Sequence, residues 1–286
     1  MNAYVEITRP GNAVMAAVAV LLMAIINFNY SLPIILCFFV VLFATSGGNV
    51  INDFFDYKID KINKPNRPIP SGRISLNVAK WYSYSLFLIS ILFSVFISFI
   101  LGNYVPVVFV SLCCILMYYY AKYFKAMPLI GNISVSLLTA LCFVLGGLVL
   151  YLETTKSAIL LTGIIIGFFA FFMTLAREIT KDMEDVEGDK LENAKTLPIV
   201  KGNKFSSILT SILIVLTALI SPILYFLNIF TVYYLIGMII HILIFIYCAY
   251  LILKSQTPEI CNKVSKLLKF GMLISFVCFI LGVIPL

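Results

Sequence analysis

The chain has 286 residues, of which 62% are hydrophobic and only 12% are charged. This composition lies far outside the range of soluble globular domains, and it excludes an ordinary water-soluble fold. A formal net charge of +7 would ordinarily indicate nucleic acid or anionic lipid. In so apolar a chain we attribute it to membrane topology and an anionic substrate, and we predict no nucleic-acid partner.

Nine transmembrane helices are predicted, in chain order, from the uncharged stretches of the sequence. A helix needs roughly 20 apolar residues to cross about 30 Å of hydrocarbon, so the first, second and fifth stretches hold two helices each. The stretches are 10–52, 81–121, 126–152, 157–176, 205–253 and 270–286, with breaks inside the long ones at 27–33, 102–106 and 226–228. The first helix begins close to Met1 without a small-residue cleavage site, so we expect a retained helix rather than a signal peptide.

The charged residues predict how this all-α membrane protein is oriented. With nine helices and the N-terminus inside, all of the 20 Lys and Arg residues except Lys156 fall on one side of the membrane. Every Asp and Glu except Glu153 falls on that side too. By the positive-inside rule this side is cytoplasmic. We therefore expect a multi-pass protein of the cell membrane whose active site faces the cytoplasm.

Two acidic clusters share the spacing i, i+3 and i+7. The first consists of Asp53, Asp56 and Asp60, and the second, 129 residues later, consists of Asp182, Asp185 and Asp189. On a continuous helix the three carboxylates of a cluster lie within roughly 60° of one another and point the same way. Each cluster therefore predicts a row of like charges that needs a cation to hold it.

The clusters belong to a longer internal repeat, which resumes at an offset of 130. Asn63, Pro68, Ile69 and Gly72 correspond to Asn193, Pro198, Ile199 and Gly202. Within a single transmembrane domain we predict two parallel four-helix repeats, at about 1–125 and 126–254, and a final helix at 267–286. Parallel repeats tend to form a site where they meet. A weakly amphipathic segment at 257–270 is predicted to lie at the membrane interface before the final helix.

A hard divalent cation is the predicted partner of these carboxylates. Mg²⁺ binds through one or two carboxylates, keeps several waters and completes its shell with substrate phosphates. Two carboxylate rows that face each other could hold Mg²⁺ on either side of a diphosphate. Calcium would also suit the ligands, but the sequence has no EF-hand pattern. Two alternatives stay open, namely Lys and Arg side chains as counter-ions and carboxylates that are simply solvated at the membrane surface.

Cations suited to phosphate flank both clusters in the sequence. They are Lys64, Arg67, Arg73, Lys122, Lys125, Arg177, Lys181 and Lys195. Arginine can bind phosphate oxygens through a bidentate fork, whereas lysine acts as a mobile point charge. Anchoring at the cytoplasmic surface explains any one of them alone, but the group beside the aspartates indicates an anionic headgroup.

We call Asn52 with the first cluster the first acidic motif, and the second cluster the second acidic motif. Together they resemble the Asn-Asp-x-x-Asp-x-x-x-Asp motif and the following aspartate motif of the UbiA superfamily of intramembrane prenyltransferases, whose members have nine helices. The resemblance implies a UbiA-type bundle in which the six aspartates are catalytic and, with Asn52, bind Mg²⁺. The substrate-binding residues it implies are Asn12, Asn52, Lys64, Arg67, Tyr118, Lys122, Arg177, Lys181 and Lys195.

Within the superfamily, further motifs resemble archaeal members that make ether lipids. They are RPGN (9–12), NRPIPSG (66–72), REITKDMEDVEGD (177–189) and KTLPIVKG (195–202). The implied reaction transfers a geranylgeranyl group from geranylgeranyl diphosphate to geranylgeranylglyceryl phosphate and forms the second ether bond of archaeal membrane lipids. An aromatic acceptor, hydroxybenzoate or another quinone precursor, is the alternative. The candidate aromatic faces for the allylic cation are Tyr118, Tyr119, Tyr120 and Phe172.

Two other classes of membrane protein fit the sequence less well. A secondary transporter would place its ionisable residues near the membrane midplane, whereas here they gather at the predicted cytoplasmic ends. A CDP-alcohol phosphotransferase needs Asp-Gly-x-x-Ala-Arg after its first aspartates, and this chain has no such sequence. The only histidine, His241, lies within a predicted span, where we expect a structural hydrogen bond rather than a catalytic role.

Overall fold

The computed structural model describes residues 2–191 and 194–285, and this described part contains helices and turns but no β-strand. The predicted all-α class is therefore confirmed. The chain divides into two compact units, Met1–Phe124 with Leu141–Ile164 and Lys125–Ala140 with Ile165–Leu286. We refer to them as the first and second units.

The described residues form fourteen α-helices and one 3₁₀ turn at Phe124–Ala126. In chain order the helices are α1 (Ala3–Ile7), α2 (Pro10–Ile26), α3 (Leu32–Phe55), α4 (Tyr57–Asn63), α5 (Leu76–Leu101), α6 (Val105–Lys122), α7 (Ile130–Thr154), α8 (Ser157–Glu184), α9 (Val186–Leu191), α10 (Leu197–Lys201), α11 (Asn203–Ile220), α12 (Ile223–Phe226), α13 (Val232–Lys254) and α14 (Pro258–Gly282).

Eight segments of the described chain are long and apolar enough to cross a membrane. They are α3, α5, α6, α7, α8, α11 with α12, α13 and α14. Helix α2 is shorter, with 17 residues, but equally apolar. Each of these nine segments overlaps a predicted stretch, and the breaks at 27–31, 102–104 and 227–231 overlap the predicted breaks at 27–33, 102–106 and 226–228.

Proline and glycine set several of the helix ends. Pro10 and Pro258 occupy the first turn of α2 and α14, where the missing N–H of proline costs no hydrogen bond. Helix α5 ends at Gly102, whose φ of 60° is a left-handed conformation that glycine adopts without a steric penalty.

Helix α3 is the centre of the first unit, where it packs against α2, α5 and α6. One cluster of buried side chains in this unit brings Ile7 of α1 and Val50 of α3 together with Ile69 and Ile74. The last two residues lie in the segment 64–75, which we call the first loop. Burial of its two isoleucines therefore anchors the loop to the end of α3 that carries the first acidic motif.

The second unit has its core between α8, α11, α13 and α14. Helix α14 approaches α13 so closely that a Cβ on Gly271 would collide with the ring of Phe245. The predicted start of the last helix at 267 was wrong, because α14 is continuous from Pro258. The location of 257–270 at the membrane interface stays a prediction. Cys261, Val264 and Leu268 are buried at helical spacing, so one apolar face runs through the whole helix and leaves the lysines on the other side.

The sequence repeat recurs in the backbone of the two units. Gly72 and Gly202 both have a positive φ, 76° and 84°. Each lies four residues after a buried proline, Pro68 or Pro198. A side chain on either glycine would be strained, which explains why both repeats use glycine there. Asn193, which the repeat matched to Asn63, lies outside the described residues. The common orientation of the two repeats stays a prediction.

Candidate active site

The first acidic motif crosses the junction between α3 and α4, and Asp56 is the junction residue. The Asp56 N–H donates to the Asn52 carbonyl at 2.9 Å, and the Asp60 N–H donates to the Asp56 carbonyl at 2.8 Å. Helical hydrogen bonding therefore passes through the junction. The spacing that places the carboxylates in one row is preserved.

All three carboxylates of the first acidic motif are nearly inaccessible to solvent. The exposed fractions are 3% for Asp53, 8% for Asp56 and 3% for Asp60. Buried carboxylates require partners, because an isolated charge removed from water is strongly destabilising. The alternative of carboxylates simply solvated at the membrane surface is therefore wrong for this motif.

Two arginines are partners of Asp53 and Asp60. Arg67 Nη1 lies 2.6 Å from Asp60 Oδ2 and 3.3 Å from Asp53 Oδ1, and Arg9 also donates to Asp53. Arg9 has a φ of 49° immediately before a proline, although residues before proline favour extended backbone. Such a conformation costs on the order of 1–3 kcal/mol and is typical of functional sites. Arg9 was not among the predicted site residues, although it belongs to the RPGN motif at 9–12.

Arg73 was a candidate for phosphate binding, but the structure pairs it with Glu6 of α1. Its Nη1 and Nη2 atoms donate to the two carboxylate oxygens at 2.7 Å and 3.0 Å, and Nη2 also donates to the Asn66 carbonyl at 2.7 Å. The hydrogen bond from Arg73 lowers the pKa of Glu6. This bidentate pair ties α1 to the first loop, which also carries Arg67.

Asn52 has a side chain suited to a metal. Its Nδ2 atom donates to Asp56 Oδ2 at 3.0 Å, while its Oδ1 atom is buried and lacks a hydrogen-bond partner within the described chain. An unpartnered amide oxygen beside a carboxylate is a hard oxygen donor of the kind that Mg²⁺ prefers. Nowhere in residues 2–191 and 194–285 are three His, Cys, Asp or Glu side chains gathered as a ready-made metal site. In the first motif Arg67 joins two of the carboxylates instead.

Tyr118 and Lys122, both predicted to bind substrate, lie near the end of α3. The ring centroids of Tyr118 and Phe55 are 5.6 Å apart in an edge-to-face arrangement. Lys122 Nζ lies 5.8 Å from the Tyr118 centroid and 4.8 Å from that of Tyr123. Cation–π contacts with Tyr118 and Tyr123 therefore place the Lys122 ammonium group near the end of α3.

The remaining predicted substrate-binding residues of the first unit, Asn12 and Lys64, are exposed. Asn12 lies in the first turn of α2, and its N–H donates to the Arg9 carbonyl at 2.9 Å. Lys64 follows the end of α4, and its N–H donates to the Asp60 carbonyl at 2.8 Å. Both side chains are accessible to a ligand, and their predicted roles stay predictions.

The second acidic motif has the same backbone design. Asp185 is the junction between α8 and α9. Its N–H donates to the Lys181 carbonyl at 3.0 Å, and the Asp189 N–H donates to the Asp185 carbonyl at 2.9 Å. The second aspartate of each motif therefore occupies an equivalent helix junction.

The carboxylates of the second acidic motif differ from those of the first in burial. Asp185 is exposed, whereas Asp182 and Asp189 are partly buried. Burial raises the pKa of Asp189, and Asp185 raises it further, while the Thr196 hydroxyl and Lys125 lower it. The Oδ2 atom of Asp182 accepts a hydrogen bond of 2.8 Å from Nδ2 of Asn132, a residue that the sequence interpretation missed.

Glu178 holds two of the predicted phosphate-binding cations. Arg177 Nη1 donates to Glu178 Oε1 at 2.8 Å, and Lys181 Nζ donates to Oε2 at 3.0 Å. The Nε atom of Arg177 is buried and has no hydrogen-bond partner in the described part of the chain. Lys195 is exposed, and its N–H donates to the Ala126 carbonyl at 2.9 Å. Glu178 was not among the predicted site residues.

His241 makes the structural contacts expected of it. Its Nδ1 atom lies 3.1 Å from the Gly271 carbonyl oxygen and 2.8 Å from Ser275 Oγ. Both partners belong to α14, so the imidazole joins α13 to α14 inside the second unit.

Known proteins resemble this chain over nearly its whole length. Residues 13–280 match the sequence profile of the UbiA prenyltransferase family. Digeranylgeranylglyceryl phosphate synthase from Methanosphaera stadtmanae is 52% identical over 282 residues, with 99% of each chain covered. The synthase of the same name from Methanobrevibacter smithii is 49% identical and covers 99% of this chain and 98% of its own.

Solved structures show the same fold. A structure described as that of digeranylgeranylglyceryl phosphate synthase in membranes has a TM-score of 0.80 at 38% identity, covering 99% of this chain and 98% of its own. A UbiA homologue from Archaeoglobus fulgidus bound to GPP and Mg²⁺ has a TM-score of 0.63 at 18% identity. The match covers 97% of this chain and 99% of the homologue. The predicted resemblance is confirmed. The chain is an integral membrane protein that belongs to the UbiA prenyltransferase family.

Proposed function

We propose that the protein transfers a geranylgeranyl group from geranylgeranyl diphosphate to geranylgeranylglyceryl phosphate in an Mg²⁺-dependent reaction. The product carries the second ether bond of archaeal membrane lipids. Support for the substrates comes from relatives of 38–52% identity over nearly the full chain that are named digeranylgeranylglyceryl phosphate synthase. Support for the chemistry comes from the nearly buried carboxylate row of the first acidic motif, which carries the proposal.

Both acidic motifs offer the oxygen ligands that Mg²⁺ requires. In the first unit the ligands would be Asn52 Oδ1 and the carboxylates of Asp53, Asp56 and Asp60. The equivalent set in the second unit would be Asp182, Asp185 and Asp189. When bound, Mg²⁺ supplies Lewis-acid neutralisation of the diphosphate charge that grows as the C1–O bond breaks.

Cationic side chains of the protein would bind the diphosphate and the acceptor phosphate. Arg67 and Lys122 offer donors in the first unit, and Arg177, Lys181 and Lys195 offer them in the second. Arginine suits phosphate because its planar fork can donate two parallel hydrogen bonds. The Nε atom of Arg177 is buried and has no hydrogen-bond partner among the described residues.

The transfer itself replaces one bond to C1 of the geranylgeranyl group by another. The diphosphate leaves with the electron pair of the C1–O bond, and the glycerol hydroxyl oxygen of the acceptor forms the new ether bond. The hydroxyl proton passes to a base. Tyr118, beside Phe55 at the end of α3, offers an aromatic face to the allylic cation. The apolar helices around the site would exclude the water that would otherwise capture this cation.

The active site is proposed to face the cytoplasm. The breaks at 27–31, 102–104 and 227–231 carry no charged residue, and the turn between α7 and α8 carries only Lys156 beside Glu153 of α7. With nine helices crossing the membrane in turn, all other charged residues lie toward the opposite helix ends. An excess of Lys and Arg on one side is what the positive-inside rule expects of the cytoplasmic side.

The acceptor can be tested directly with purified protein in detergent. The protein is incubated with radiolabelled geranylgeranyl diphosphate and Mg²⁺, and with either geranylgeranylglyceryl phosphate or hydroxybenzoate. We expect labelled digeranylgeranylglyceryl phosphate from the first acceptor and no labelled product from the second. Prenylated hydroxybenzoate formed at a comparable or higher rate would contradict the proposed acceptor and support an aromatic one.

A further inference from the structure

Asn132 is a buried amide residue at the start of an apolar helix. It is the only amide side chain in the uncharged stretch 126–152, it lies in the first turn of α7, and only 7% of it is exposed. A buried amide without a hydrogen bond costs on the order of 2–7 kcal/mol. Asparagine at this position therefore requires a partner.

The partner is the first aspartate of the second acidic motif. Asn132 Nδ2 lies 2.8 Å from Asp182 Oδ2, and this bond links α7 to α8 across 50 residues of sequence. A hydrogen bond to a carboxylate is charge-assisted and roughly twice as strong as one between neutral groups. The bond therefore fixes the orientation of the Asp182 carboxylate.

The first unit holds its first aspartate from an equivalent place. Arg9, the N-cap residue of α2, donates to Asp53 near the end of α3. In both units, a donor at the start of one helix thus binds the first aspartate on the following long helix. The dipeptide Gly131–Asn132 also occurs as Gly11–Asn12, which begins two residues after Arg9, so each donor lies in or near a Gly-Asn pair at a helix start. The two donors differ in charge, since Arg9 is a cation and Asn132 is neutral.

We infer that Asn132 is a positioning residue that orients Asp182 as a metal ligand through a hydrogen bond from a neutral donor. This inference rests on the proposed function, in which the second acidic motif binds Mg²⁺. Residues that orient a metal ligand typically change metal affinity by roughly 10–100-fold when they are replaced. A residue that only packs the helices would change stability and leave metal affinity unaltered.

Ser134 provides a matched control on the same helix. Its side chain is also buried, at 5% exposure, but its hydroxyl donates to the Ile130 carbonyl of its own helix at 2.8 Å. Ser134→Ala therefore removes a buried polar group close to Asn132 without removing a contact to the acidic motif. Asn132→Leu is a second test variant, because leucine has a similar size and suits a transmembrane helix.

The test is calorimetric titration of Mg²⁺ into the full-length protein in detergent, at a fixed concentration of inorganic diphosphate. The heat of Mg²⁺ binding to the same diphosphate solution without protein is measured and subtracted. Melting temperatures are measured in EDTA alongside. We expect Mg²⁺ affinity to fall roughly 10–100-fold in Asn132→Ala and Asn132→Leu, and to stay at the wild-type value in Ser134→Ala. If the alanine variant does not fold, the leucine variant decides the result.

The possible failures are distinguishable. Wild-type Mg²⁺ affinity in a folded Asn132 variant would overturn the positioning role and leave the proposed function intact. A wild-type protein that binds no Mg²⁺ in the presence of diphosphate would overturn both.

Discussion

Arg67 Nη1 lies 2.6 Å from Oδ2 of Asp60. The same nitrogen lies 3.3 Å from Oδ1 of Asp53, so one guanidinium joins the first and last carboxylates of the first acidic motif. These are the oxygens proposed to bind Mg²⁺. Arg67 is therefore both a counter-ion that stabilises the buried carboxylates and a competitor for the proposed metal.

Replacing Arg67 should change metal and diphosphate affinity in opposite directions. Arg67→Ala removes the competitor, so Mg²⁺ titrated without diphosphate should bind more tightly. The same variant loses a charge-assisted donor to phosphate, so inorganic diphosphate in saturating Mg²⁺ should bind roughly tenfold more weakly. Calorimetry measures both values. Unchanged or weaker Mg²⁺ binding in the variant would show that Arg67 does not compete for the carboxylates.

Asp56 and Asp185 occupy equivalent helix junctions, and both should be required for turnover. Asp56→Ala and Asp185→Ala should lower the rate of prenyl transfer by roughly 10²–10³-fold, a typical loss when transition-state charge stabilisation is removed. The proteins should still purify as folded, monodisperse species. Glu187→Ala is the control, because the Glu187 side chain is 90% exposed on α9. A rate in either aspartate variant equal to that of the control would refute the assigned role.

The pair formed by Glu6 and Arg73 should give the first loop a pH-dependent attachment. Because the pKa of Glu6 is lowered from its ordinary value of 4.5, the pair contributes stability that is present above pH 4.5 and is lost as the pH falls through the lowered pKa. Glu6→Gln should therefore lower the melting temperature at neutral pH and have little effect at pH values below the lowered pKa of Glu6. Melting curves of both proteins across this range measure the effect. A difference that persists in acid would rule out the ionised pair as its source.

His241 should matter for stability and not for catalysis. His241→Leu removes hydrogen bonds to α14 and leaves the Gly271 carbonyl and Ser275 with one partner fewer, which should cost about 1–3 kcal/mol. The rate of prenyl transfer at a temperature where the variant is folded should stay within about twofold of wild type, since a change confined to stability leaves the transition state unaltered. A large loss of kcat without a loss of melting temperature would instead indicate a catalytic role.

The helices were predictable from the sequence because membrane spans are set by local composition. Uncharged stretches of sufficient length decide the result, whatever their tertiary contacts. The last helix was the exception. Its N-terminal turns carry lysines, which suggested an interfacial segment, but Cys261 and Val264 continue a buried face that only packing against α13 reveals.

The aspartates were predictable because duplication makes them conspicuous, whereas their partners were not. Arg9 contacts Asp53 from a left-handed backbone conformation, which a residue before proline rarely adopts. Asn132 and Glu178 act through contacts set by rotamers and helix packing, which spacing alone does not specify. One signal was available, since Gly131–Asn132 repeats Gly11–Asn12.

The rate of labelled product formation as a function of free Mg²⁺ tests the central claim most directly. Purified protein is given geranylgeranyl diphosphate and geranylgeranylglyceryl phosphate, with Mg²⁺ buffered from excess EDTA to saturation. The account predicts negligible digeranylgeranylglyceryl phosphate in EDTA, a saturable rise with Mg²⁺, and no such rise in Asp56→Ala. Product formed at the same rate in EDTA, or in the variant, would contradict the proposal that these aspartates act through bound Mg²⁺.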